Sequence, residues 1–246
     1  MPATTIGNLT AAGRPALPCL AETRLTRLAS RVTREFAWQW TEQRIAQRPW
    51  RLATAADPEA MLLEACRRQD AGETEVIDPF WATVWRAAAG LDQFLDHYQL
   101  AGMRVLEVGC GTGHAGIAAA LRQAHVTLTD GVSDPLLLAR MSSWPIRDRC
   151  RFRRLRFGVD RLENEVFPLI LGSDVTYLRT LWHELDVCLR QHLGDDGEVL
   201  LSDPLRVISN EFRDQLDRGY WDYQEHRVEL PDQPGPPIRV MRLRRR

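Results

Sequence analysis

From Gly102 onward, short apolar runs alternate with runs that carry helical periodicity, and this alternation restricts the chain to a narrow set of folds. Strands are predicted at 104–108, 125–129, 151–157, 167–172 and 197–202, the third and fourth separated by a loop containing Gly158 and Asp160. Helices are predicted at 114–122, 135–142, 178–193 and 210–218. Consecutive strands with a helix between them pair in parallel, because a parallel neighbour needs a crossover long enough to return the chain to the same edge. The sheet is then covered by helices on both faces. The end of the chain departs from this rhythm. Runs at 223–230 and 238–243 are joined by Pro231-Asp-Gln-Pro-Gly-Pro-Pro237, too short for a crossover helix, so they should form a hairpin with one strand antiparallel in the sheet.

Ahead of the alternating region the pattern is less regular. Between residues 30 and 40, Val32, Phe36, Trp38 and Trp40 all stand at even positions, which favours a strand pair continued by Trp50 and Leu52. Leu25, Leu28, Val32 and Phe36 compete with it as a helical stripe. Asp57-Pro58 supplies an N-cap followed by proline at the first helical position and should open a short helix. Asp78-Pro79 repeats that signal, with Trp81, Val84, Trp85, Ala88, Leu91 and Leu95 at helical spacing, so a second helix should lead into the alternating region. The expected organisation is a loose tail over residues 1–20, an N-terminal extension over 21–77 made of a β-hairpin and short helices, and a main domain over 78–246.

Glycines cluster where the first strand of the main domain gives way to its first helix, in Glu107-Val-Gly-Cys-Gly-Thr-Gly113 and on to Gly116. Such residues let the backbone turn sharply and approach a ligand, while the helix start offers free N–H groups. This is the ligand crevice of an open α/β sheet, and the fold class expected is α/β: a Rossmann-like, seven-stranded, mostly parallel sheet with an antiparallel C-terminal hairpin strand. Gly111-x-Gly113-x-x-Gly116 also satisfies the dinucleotide fingerprint, with Asp130 nineteen residues after Gly111 as a ribose-binding acid. Two features favour S-adenosylmethionine instead. Glu107, inside the strand end, would oppose a pyrophosphate but suits a cofactor bearing an amino acid, and the terminal hairpin is foreign to the usual dinucleotide-binding half. Asp130 would then receive the two ribose hydroxyls.

These segments together resemble the class I methyltransferases of the family 16 type, which include protein-lysine methyltransferases and bacterial relatives. The resemblance runs from about Trp50 to Leu243 and is carried by Asp78-Pro-Phe-Trp-Ala-Thr-Val-Trp85, the glycine loop, Thr129-Asp-Gly131 and Leu171-Gly-Ser-Asp-Val-Thr-Tyr177, the last matching a D-x-x-Y motif. It implies that Trp85 packs near the methionine end of the cofactor, that Glu107, Gly109, Cys110, Gly111 and Gly113 form its loop, that Phe157 covers the adenine and that Ser173 lies beneath. Two departures stand out. The family's L-D-W-G is Leu155-Arg-Phe-Gly158 here, and its tryptophan-proline is Trp85-Arg86.

Methyl transfer from a sulfonium is an in-line displacement, so a site for it must position a nucleophile and exclude water. A lysine, with an ordinary pKa of about 10.4, must be neutral when it attacks. Asp174 would attract and orient the incoming ammonium and Tyr177 would bound the site; the plainer roles are a helix cap for Asp174 and a half-buried aromatic for Tyr177. A protein side chain is the expected acceptor, with a small molecule as the alternative, and an NAD-binding enzyme or a nucleic-acid-binding module further behind. The arginines at 239, 242 and 244–246 read as a solvated edge rather than a nucleic-acid patch. A net charge of −1 gives no reason to expect a polyanion binder, and no apolar run is long enough to span a bilayer. Cysteines at 19, 66, 110, 150 and 188 form no C-x-x-C pair, and His183 and His192 lack a third ligand, so neither a disulfide framework nor a metal is expected. The compartment expected is a reducing cytoplasm. All 32 basic residues are arginine, a composition that a GC-rich genome explains and that avoidance of self-methylation would explain as well.

Overall fold

A computed structural model describes residues 20–74 and 76–246. The loose tail expected over residues 1–20 lies outside them, save for Leu20, which opens a helix. That helix, α1 (Leu20–Glu35), takes the stripe of Leu25, Leu28 and Val32, with Phe36 just past its end, and packs it against Leu137, Leu138 and Met141. The helical reading therefore holds up to Glu35 and the strand reading begins at Trp38. The ambiguity arose because Val32 and Phe36, four apart, satisfy both periods.

Strands β1 (Trp38–Ile45) and β2 (Arg48–Ala55) form an antiparallel hairpin in register from Trp38 with Ala55 to Ile45 with Arg48. Its two turn residues, Ala46 and Gln47, both have positive φ, 48° and 60°, as a two-residue turn matched to strand twist requires. Neither is glycine, and the strain is offset from outside. Both carboxylate oxygens of Asp92 accept the Ala46 N–H, at 2.9 and 3.2 Å, and Asp96 accepts from the Gln47 amide at 2.8 Å. Helix α2 (Pro58–Asp70) follows, capped as expected by the Asp57 side chain, which accepts from Ala60 N–H at 2.9 Å.

The helix expected from Asp78 to Leu95 is broken. A single 3-10 turn, Phe80–Ala82, gives way to extended backbone at Trp85 (φ −85°, ψ 139°) before α3 (Arg86–Phe94) begins. The Trp85 indole N–H donates to the Phe80 carbonyl at 2.9 Å, taking up an acceptor that a continuous helix would have used. The break positions the indole for the site described below.

The remaining elements are β3 (Arg104–Glu107), α4 (His114–Leu121), β4 (His125–Asp130), α5 (Ser133–Ser142), β5 (Cys150–Arg154), β6 (Phe167–Ser173), α6 (Trp182–His192), β7 (Leu193–Asp203), α7 (Val207–Gln215), β8 (Trp221–Val228) and β9 (Ile238–Arg245). They build one seven-stranded sheet in the order β5-β4-β3-β6-β7-β9-β8. Pairings are parallel from β5 to β7, and β9 is antiparallel to both its neighbours, so the α/β class and the terminal hairpin are as expected. Alternate residues feed two cores. Val105, Leu169, Leu171, Leu200 and Val240 enter one with Leu91 and Ile117, while Leu106, Ile170, Val199, Leu201 and Met241 enter the other with Leu185 and Leu189. Ile45 and Leu52 of the hairpin join the first of these cores. His192 is a satisfied core residue: its Nε2 accepts from Leu162 N–H at 3.0 Å and its Nδ1 meets the Cys188 carbonyl at 2.7 Å.

A buried ion pair fastens β9 to the end of β7. Arg239 and Asp203, 1% and 0% exposed, meet through Nε–Oδ2 at 2.9 Å and Nη2–Oδ1 at 3.0 Å, with Asn210 and Glu225 completing the guanidinium's surroundings. The same Asp203 accepts the Arg206 backbone N–H at 3.1 Å and so shapes the turn into α7. Removing one partner of a buried pair strands the other charge. Asp203→Ala should therefore lose about 3 kcal/mol of unfolding free energy in urea titration, well beyond the effect of an ordinary surface change.

Candidate active site

The strand order reverses at β3, whose neighbours β4 and β6 run to opposite edges, and a crevice opens there at the carboxyl ends of the strands. It is a cavity of about 460 Å³, the size of a small-molecule site. The glycine loop forms its floor. Gly109, Gly111 and Gly113 all have positive φ, 60°, 50° and 87°, conformations that side chains rarely adopt. A side chain at Gly113 would also press on Ala139 and Leu128 at 3.0 Å.

Two carboxylates hold this loop from beneath. Asp130, at the tip of β4, accepts from Gly111 N–H through Oδ2 and from Val132 N–H through Oδ1, each at 3.0 Å. Glu107, at the tip of β3, accepts from Gly116 N–H at 3.0 Å, and a Cβ on Gly116 would fall 2.3 Å from that same oxygen. Both acids are buried. Burial pushes the Glu107 carboxyl up to about 8, with the Gly116 N–H opposing the shift and Asp130 adding to it. Burial likewise raises Asp130. The Cys110 thiol is raised by burial and by both carboxylates, and stays protonated.

Trp85, Gly109, Cys110, Gly111, Asp130, Phe157, Ser173, Asp174 and Tyr177 all line the cavity, so nine of the eleven residues expected at the site converge there. Glu107 and Gly113 do not. Glu107 sits behind the loop with its oxygen on Gly116, and Gly113 is the left-handed residue that starts α4; both shape the cavity from outside it.

The far wall is built on the segment after β6. Asp174 has φ 53°, unusual for a residue with a side chain, and its N–H donates to the Ser202 carbonyl at 2.7 Å, which locks the turn to β7. It does not cap a helix: the next one, α6, starts at Trp182 after a 3-10 turn and has no side-chain cap. Its carboxylate instead receives Arg206, Nε to Oδ1 at 2.9 Å and Nη2 to Oδ2 at 2.8 Å. The Arg206 guanidinium lies 5.2 Å from the centroid of the Trp85 ring. Tyr177 stacks edge-on against Phe80, centroids 5.3 Å apart, and its phenol is pushed up to about 12, first by burial and then by Asp130, Asp174 and Asp78. It is a hydroxyl donor, not a phenolate.

Arg206 is the functional neighbour that sequence reasoning missed, although a signal was present. Asp203-Pro-Leu-Arg206 follows the end of β7, on the same carboxyl edge as the other site residues, where ligand-facing groups collect. His114 was missed as well; it lines the cavity while its Nε2 lies 3.4 Å from Asp92, and so joins the glycine loop to the acid that pins the hairpin turn.

The Glu107 carboxyl yields a sign for the pH dependence of stability. Between about 4.5, its ordinary value, and about 8, the folded protein keeps a proton that the unfolded chain releases. Stability therefore falls as pH rises through that window. Glu107→Gln, which keeps an oxygen for Gly116 and cannot ionise, should flatten the decline in urea midpoint across it; an unchanged slope would show that Glu107 does not cause the decline.

The sequence profile of a family described as lysine methyltransferase matches residues 73–217. EEF1A lysine methyltransferase 3 from Mus musculus is 34% identical over 137 residues, covering 51% of this chain and 56% of that protein. Protein N-lysine methyltransferase METTL21A from Danio rerio is 33% identical over 144 residues, covering 53% and 63%. The chain thus spans less than two thirds of these relatives' lengths. Among solved structures, a TehB-like SAM-dependent methyltransferase from Corynebacterium glutamicum superposes with a TM-score of 0.53 at 17% identity, over 78% of this chain and 99% of that one, a likeness of fold.

Proposed function

The chain belongs to the lysine methyltransferase family, and from that premise we infer that it transfers a methyl group from S-adenosylmethionine to a protein side-chain amine, that of lysine. The observation that carries the acceptor class is the mouth of the cavity. Ile77, Leu178 and Leu181 line it and are 60%, 37% and 37% exposed, an apolar rim suited to the surface of another protein rather than to a closed pocket around a small molecule. The curated relatives that bear protein-lysine methyltransferase names support the same reading.

The residues present fit the cofactor. Left-handed glycines let backbone approach it closely, Asp130 offers a carboxylate for the ribose hydroxyls, Phe157 an aromatic face for the adenine, and Trp85 with Ser173 the walls of the methionine end. The cofactor supplies a methyl group on a positively charged sulfur. Asp174 and Tyr177 orient the acceptor: the first accepts a hydrogen bond from the amine, and the second, a protonated phenol, bounds its approach. No helix among the described residues is long and apolar enough to cross a membrane. A cytoplasmic bacterial protein, with arginine in place of lysine through genome composition, completes the proposal.

Incubation with radiolabelled S-adenosylmethionine and a cell lysate should label a discrete protein band; label confined to the small-molecule fraction would overturn the acceptor class. Asp174→Ala should keep cofactor affinity and lose transfer. Asp130→Ala should weaken cofactor binding, measured by isothermal titration, by about tenfold or more, as expected for losing hydrogen bonds to a charged acceptor.

A further inference from the structure

The acid expected to attract a lysine ammonium already holds a cation. Arg206 grips both oxygens of Asp174 at 2.9 and 2.8 Å and lies over the Trp85 ring, while Asp174 and Trp85 themselves line the cavity. A lone carboxylate would favour the charged ammonium, the form of lysine that cannot attack. A guanidinium beside it removes that preference, because its own charge repels a second cation at short range.

We propose that Arg206 is a positioning residue for the methyl acceptor: it fixes the Asp174 carboxylate in place and, by its permanent positive charge, holds the incoming amine in its neutral, nucleophilic form. This deepens the function proposed above and rests on it. The choice of arginine matters, since a guanidinium stays charged at any pH the protein meets and fits a carboxylate with two parallel bonds. In the transfer step the amine lone pair forms the new nitrogen–carbon bond as the carbon–sulfur bond of the cofactor breaks, its electron pair leaving on sulfur; the methylated amine sheds its extra proton to solvent.

The other charged groups around this point leave Arg206 as the decisive one: Arg156, which also lines the cavity, is paired with Asp160, and His114 faces Asp92. Asp203, behind Arg206, is matched by Arg239. Tyr177, on the segment after β6, is a neutral phenol. Asp130 is tied to the glycine loop by two backbone N–H groups, and Asp78 accepts from the Gln69 side chain at 2.9 Å. Trp85, from the break before α3, presents an aromatic face.

The test is the pH profile of methyl transfer to the lysate band that the parent protein labels, followed from about pH 6 to about pH 10 for the parent and for Arg206→Gln, with cofactor affinity measured alongside. Arg206→Gln should bind S-adenosylmethionine as the parent does. The rising limb of its kcat profile, which reports the amine in the bound complex, should move upward by about one pH unit, equivalent to a roughly tenfold loss on the limb that is regained at higher pH. Arg206→Ala with added ethylguanidinium should return the limb toward the parent position, a rescue that a folding defect would not permit. A loss uniform across pH, or an unshifted limb, overturns this role and leaves the protein-methylation reading standing. A parent protein that labels no band overturns that reading, and this inference with it.

Discussion

Two buried carboxylates at the tips of adjacent parallel strands hold the backbone on which the rest of the site depends. Glu107 and Asp130 each accept amide N–H groups of the glycine loop or its flanks, and the loop can take its shape only because glycine tolerates the left-handed conformations at 109, 111 and 113. Burying two acids side by side is unfavourable in isolation, which is why both are raised in pKa. Structures retain such arrangements where function draws on them. Here one acid faces the cavity and the other stands behind the loop. The pair separates into a group that lines the cavity and a group that shapes its floor from behind.

The same division runs through the far wall. Asp174 faces the cavity, and its position is dictated by groups that do not: the Ser202 carbonyl accepting its N–H, and Arg206 gripping its carboxylate. Arg206 in turn follows Asp203, whose second commitment is the buried pair with Arg239 on β9, the strand antiparallel to both its neighbours. The C-terminal hairpin thereby has a role beyond closing the sheet edge. It supplies the charge that sets the turn carrying Arg206.

The alternation of strand and helix, the terminal hairpin and the glycine loop were legible in the sequence because each rests on local physics: period, loop length and the steric freedom of glycine. Residues converging on the cavity were legible where a motif spans a strand end, as at Asp130 and Asp174. What failed to read was set by particular side-chain contacts, which periodicity does not encode. The break at Trp85 depends on an indole reaching back to the Phe80 carbonyl, and nothing in the helical spacing of residues 78–95 betrays it. Glu107 was expected at the cofactor because an acid there suits one that bears an amino acid; what the sequence did not show is its hydrogen bond to Gly116, nine residues on, a contact set by how closely α4 packs over β3. Arg206 was missed for a third reason. An isolated arginine among 32 stands out only by its place just after a strand end, and its partner Asp174 becomes visible only when the sheet brings the ends of β6 and β7 together.

That arrangement also changes what the missing lysine can mean. A lysine at position 206 would put an amine that can accept a methyl group against Asp174, on the wall of the cavity proposed to methylate amines. Arginine there keeps the charge and the paired geometry, while its delocalised guanidinium stays protonated and offers no free lone pair. Genome composition would account for arginine across the exposed surface, where either cation would serve. At this one position the chemistry of the proposed reaction would favour arginine independently of composition, because a cation that cannot become a nucleophile holds Asp174 without competing with the acceptor.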